Sequence, residues 1–140
     1  MMSAPLHKDP AHWLFRLTPD EWIRAALGEV VRAEEAYARN DVRAGLASAK
    51  RAAGMALNGV LIVAPNESWG RSYVDHVRAL ARDEIAPAAV RAACGLLLDA
   101  HAPSADLSPL RSRSGDAKIT EAARDVVAHA WVLVKRHAGD

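Results

Sequence analysis

Apolar residues recur at helical spacing along most of this chain, and polar punctuation cuts them into five runs. In the first, Thr18 to Arg39, residues Trp22, Ala26, Val30, Ala33 and Tyr37 fall on one side. Arg24, Glu29, Arg32, Glu35 and Arg39 fill much of the other. Thr18-Pro19-Asp20-Glu21 predicts the helix start: the Thr18 hydroxyl accepts the N–H three residues on, Glu21 reaches back, and Pro19 gives up no useful donor. Asn40 tolerates the left-handed conformation that ends a helix, and Asp41 can cap the next one. The second run, Asp41 to Ile62, carries Val42, Leu46, Ala49, Ala53, Leu57, Val60 and Leu61. Gly45, Ala52, Gly54, Ala56 and Gly59 make it thin, so neighbouring helices can approach closely. The two-residue hinge Asn40-Asp41 therefore predicts a long antiparallel pair whose second member is central.

The pattern continues in helices. Val63-Ala64-Pro65-Asn66 reads as a turn, with Trp69-Gly70 in the connection, and Ser72 with Asp75 forms a second capping box. Tyr73, Val77 and Leu80 make the inner face of a short third helix, with Arg71, Asp75, Arg78 and Arg82 on its other side. A fourth helix starts at Pro87 and runs through Val90, Ala93, Cys94, Leu97 and Leu98, stopping before Pro103. Residues Ala102 to Gly115, with Pro103 and Pro109, form the longest loop. Asp116 is the expected cap of a last helix reaching about His137, with Ile119, Ala123, Val126, Val127, Ala130 and Val134 inward and Gly139 past its end. Trp22 belongs to the first apolar face, Trp131 to the border of the last. Trp13, Leu14 and Phe15 are expected to fold back as a plug over the bundle's end, or else Trp13 anchors a dimer interface. The prediction is an all-α, up-and-down bundle of four to five helices, one domain over residues 1–140 with 1–17 as an N-terminal extension.

Length supports a single core without disulfides, and Cys94, the only cysteine, has apolar neighbours. The formal charge of +1 supplies no bulk drive toward nucleic acid or membrane. Met1 to Pro10 lacks a signal-peptide core, and no apolar stretch is expected to reach the roughly 18 residues that span a bilayer. A cytoplasmic protein with no membrane association is the expectation. No histidine has another three or four positions away. Glu121, Asp125 and His129 form one helical stripe without matching pairs on other helices, so neither metal nor cofactor is expected.

Several segments carry a resemblance. They are Trp22-Ile23-Arg24-Ala25-Ala26-Leu27, Tyr37 with the run Asn40 to Ala47, and the alanine-rich stretch from Ala49 to Leu61. Asp75-His76-Val77-Arg78-Ala79-Leu80 and Ala86 to Ala93 follow, then a long loop and an alanine-rich last helix. From about residue 18 to 137 the chain resembles the HEPN family, the higher-eukaryote and prokaryote nucleotide-binding domains. The resemblance implies a helical bundle that dimerises through its long helices. It also implies a nucleotide or RNA ligand and a nucleotidyltransferase-type partner in a toxin–antitoxin pair. One branch of the family consists of metal-independent endoribonucleases marked by Arg, four to six residues, then His. Arg124-Asp125-Val126-Val127-Ala128-His129 fits that formula. There an imidazole would take the 2′-hydroxyl proton and a guanidinium would hold the phosphate. On a continuous helix, however, five residues leave Arg124 and His129 roughly 140° apart. The other reading is a solvated pair, with Asp125 and His129 four apart.

Two further places invite an anion. Arg111-Ser112-Arg113-Ser114-Gly115-Asp116 sets two arginines, hydroxyls and a glycine before a helix N-terminus, where backbone N–H groups favour phosphate. The other reading, a flexible polar loop, is the preferred one. His76, near Arg71 and Tyr73, matches the family's third-helix histidine segment and would line a groove. Alternatively it is a buried histidine bonded to a carbonyl. The expected function is a binding module for nucleotide or RNA using Arg71, Tyr73, His76, Arg111 and Arg113. The alternatives are an endoribonuclease using Arg124 and His129, or a structural helical adaptor. The sequence leaves open whether the chain is an enzyme.

Overall fold

The computed structural model describes residues 13–104, 107 and 110–138. Five helices make up the bundle: α1 (Pro19–Ala38), α2 (Val42–Val63), α3 (Tyr73–Ala81), α4 (Ala88–Asp99) and α5 (Arg113–Ala138). No strand occurs among the described residues. The Thr18–Glu21 capping box is present in both directions, at 3.2 and 2.9 Å. Asn40 takes φ 65°, and the N–H groups of Asn40 and Asp41 return to the carbonyls of Tyr37 and Ala36. That closes α1 in the double hydrogen-bonded turn expected where a left-handed residue follows a helix. Asp41 then accepts the Ala44 N–H to start α2. Ser72 and Asp75 cap α3 reciprocally.

Helix α2 is the bundle's axle, packed by α1, α3 and α5, with α4 closing the far side against α3 and α5. Over its 22 residues α2 is long and apolar enough to cross a membrane, contrary to the sequence expectation. Much of it is enclosed instead: Ala49, Ala52, Ala53, Ala56 and Leu57 are fully buried by its neighbours. Helix α5 runs antiparallel to α1, since Lys135 pairs with Asp20 near one end and Arg124 with Glu34 near the other. The plug is there as well. Leu14, in the 3₁₀ turn Trp13–Arg16, is buried, and its carbonyl accepts the Trp22 indole N–H at 2.9 Å.

Three expectations change. Glu29, read as part of the solvated face, is only 4% exposed. Arg32 of its own helix and Arg51 of α2, the latter at 3.0 Å, satisfy both its oxygens, which makes burying the charge tolerable. Helix α5 begins at Arg113, three residues before the expected cap. The Ser112 hydroxyl accepts the Gly115 N–H there, and Asp116 turns to Arg111 instead. Tyr73 and Leu98, assigned to inner faces, are only partly buried because an open cleft reaches them. Pro109, Gly139 and the stretch from Met1 to Pro10 lie outside the described residues.

Candidate functional site

A cleft of about 550 Å³ opens between α2, α3 and α4. Val74, Val77, Ala81, Leu97 and Leu98 supply its apolar surface. Lys50 and Arg51 of α2, Arg78 of α3 and Arg82 at its C-terminal cap stand around it, with Asp99 as the one carboxylate in its lining. Their placement follows from helical spacing: Arg78 and Arg82 are one turn apart, and Lys50 and Arg51 follow one another where α2 turns outward. Arg51 is drawn toward Glu29, and Arg78 pairs at 3.4 Å with an exposed Asp75. Lys50 and Arg82 make no ion pair with any described residue within 4 Å. A second, larger hollow of about 820 Å³ lies beside Asn66, Ser68 and Trp69, shares Arg78 and Arg82 with the first, and has Asp75 and Asp83 in its lining. The two α3 arginines therefore form a ridge between adjacent depressions.

Tyr73 closes the inner end of the cleft. Its ring lies directly on Gly54 of α2, where a Cβ would stand 2.2 Å from the tyrosine Cβ. Below it lies a polar pair shut off from solvent: His76 and Asn58 are both fully buried. His76 Nδ1 donates to the Trp69 carbonyl at 2.9 Å, and the Asn58 amide lies 3.0 Å from Nε2. With Oδ1 turned to Nε2, the Asn58 Nδ2 is left without a partner. With Nδ2 donating to the lone pair of a neutral ring, both groups are satisfied; that is the orientation we assign. Burial, the largest influence, raises the Tyr73 phenol pKa above its ordinary value.

Burial pushes the His76 pKa below its ordinary 6.5, outweighing the Trp69 carbonyl and Asp75. The His129 pKa is lowered too, first by burial. In the unfolded chain both rings bind protons near 6.5, whereas in the folded chain they do so only at lower pH. The unfolded state thus holds more protons in that window, and stability must fall as pH drops from 6.5 toward the folded values. Denaturant midpoints are expected to be level above pH 7 and to decline toward pH 5. The decline should be shallower in His76→Gln. Midpoints that rise on acidification would contradict a neutral, buried His76.

The residues singled out from the sequence do not converge. Tyr73 lines the cleft, His76 lies beneath it, and Arg71 and Arg113 are exposed and line neither hollow. Arg111 is built into the fold: it donates to Asp116 at 2.9 Å, to the Tyr37 carbonyl at 3.3 Å and to Asn40 Oδ1 at 2.9 Å, tying the start of α5 to the α1–α2 hinge. Nearby, burial followed by the Asp116 charge pushes the Tyr37 phenol up to about 12. Arg124 leans on Glu34 of α1 at 2.7 Å, while His129 senses Asp83 in the α3–α4 connection. Within one chain these two side chains serve opposite flanks of α5. Cys94 is sealed in the core, and burial pushes its thiol up to about 12.

Sequence reasoning missed Lys50, Arg51, Arg78 and Arg82 as site residues. The available signal for the first pair was two adjacent cations in an otherwise alanine-rich central helix. An all-α bundle with a cationic, apolar-floored cleft is the class of protein this architecture defines. Comparison of the chain with family models, with curated proteins and with solved structures gave no match.

Proposed function

We propose that the chain is a helical binding module that takes a phosphate-bearing ligand, a nucleotide or an RNA strand, along α3. The observation that carries this reading is the ridge of Arg78 and Arg82 between two hollows, with Lys50 facing it from α2. Guanidinium groups hold phosphate oxygens in a two-pronged fashion, and a lysine adds a mobile point charge. The half-buried Tyr73 ring, with exposed Val74 and partly buried Leu98, offers an apolar seat for a base. A second hollow across the ridge gives a polymer room to continue, which favours a strand over a lone mononucleotide. The separation of Arg124 from His129 favours binding over strand cleavage within one chain. This reading agrees with the HEPN resemblance, in which such a module works beside a nucleotidyltransferase-type partner.

The test is equilibrium binding of a labelled single-stranded RNA and of ATP at two salt concentrations. Three or so phosphate contacts should make RNA binding weaken about tenfold between roughly 50 and 200 mM salt. ATP is expected to compete at higher concentration. Salt-independent binding, or none up to about 1 mM protein, would contradict the proposal.

A further inference from the structure

The cleft between α2 and α3 has one closed end. At Gly54 the two helices approach as nearly as a glycine allows, since a Cβ there would stand 2.2 Å from Tyr73 Cβ. The α2 residues bordering the cleft are Ala47, Lys50 and Arg51, all on the N-terminal side of that contact, so the space ends at it. Arg51, one turn before Gly54 on the same side of α2, therefore stands at the apex. Its charge reaches the phenol of Tyr73, which borders the cleft from α3. Arg78 and Arg82 lie further along the chain, on the way to the second hollow.

Arg51 is also held in place. Its Nη1 donates to Glu29 Oε2 at 3.0 Å, the one hydrogen bond this guanidinium makes with the described residues. The side chain is 48% exposed, so the rest of the donor fork is open to the cleft. Glu29 is buried and shared with Arg32, so two guanidinium groups and one carboxylate leave a net positive charge here. A buried ion pair contributes little stability beyond what apolar residues of similar volume would give. Core stability therefore does not account for Glu29, whereas fixing Arg51 at the apex does.

We propose that the apex receives a terminal phosphate, the monoester at the end of an RNA strand, bound by Arg51 with Glu29 as its positioning residue. This rests on the reading of the cleft as a phosphate site. A diester inside a strand has chain on both sides, and the Gly54–Tyr73 contact leaves room on one. A monoester carries about two negative charges at pH 7 and presents free oxygens to the planar fork. From there the strand runs over Arg78 and Arg82 into the second hollow.

The test is equilibrium binding of the full chain to one short single-stranded RNA with an internal label. It is supplied with a 5′-phosphate, with a 3′-phosphate, or with hydroxyls at both ends. The wild type should bind one phosphorylated form about tenfold more tightly than the hydroxyl form, which also identifies the end that enters. R51K keeps a cation on Glu29 but loses the fork, and E29Q removes the anchor; each should reduce that preference to about twofold or less. If E29Q does not fold by circular dichroism, R51K, with its ion pair kept, carries the test. A variant that weakens all three forms alike, with the preference undiminished, overturns the proposal. A wild type that binds all three forms equally also overturns it, while leaving phosphate binding along α3 standing. Binding to none of them overturns that underlying reading as well.

Discussion

A Gly54→Val protein should melt about 10 °C or more below the wild type, the largest loss expected from any single substitution in the bundle. The added Cβ would lie 2.2 Å from Tyr73 Cβ and 2.4 Å from Cγ. Those atoms are the root of the side chain rather than its movable tip, so no rotamer change clears them. Helix α3 must lift from α2, which opens the seat of His76 and Asn58 to water and strips both of matched partners. Overpacking of this kind costs about 1–3 kcal/mol, and unpairing a buried polar group adds roughly as much again. Circular dichroism melts measure it. A variant melting within a degree or two of wild type would mean that α3 does not rest on Gly54.

The second large effect is on binding. Reversing both ridge charges, Arg78→Glu with Arg82→Glu, is expected to weaken RNA binding by about a hundredfold or more, because two attractions become two repulsions. Both side chains lie on the exposed side of α3, and the Arg78–Asp75 contact is a surface pair, so stability should change by no more than about 1 kcal/mol. Arg124→Ala with His129→Ala should leave both binding and any RNA turnover as they were. A toxic wild type rescued by His129→Ala would instead place function on α5, with the two groups meeting across a dimer.

Much of the scaffold was legible because it rests on local rules. The Thr18 and Ser72 capping boxes, the left-handed Asn40 and the Asp41 cap depend only on residues within one turn, and each occurs where the sequence puts it. Apolar periodicity identified the core of all five helices for the same reason. What escaped was non-local. Glu29 has the spacing of a surface residue, and only Arg51, 22 positions away, makes its burial tolerable. Asn58 looks like a helix defect until His76 is placed beside it. The cleft arises because α3 is short and α4 leaves it on one side. No residue pattern announces that gap. Arg111 and Asp116 suggested an anion site from their neighbours in sequence, whereas Tyr37 and Asn40, more than 70 positions earlier, complete the set that holds them.

The central claim is that ligand phosphate lies on the α3 ridge, and a backbone amide NMR titration with single-stranded RNA tests it most directly. The account predicts progressive shifts at Lys50, Tyr73, Arg78 and Arg82, with Arg113, Arg124 and His129 left in place. Shifts confined to α5, or to the Arg111–Arg113 segment, would contradict it.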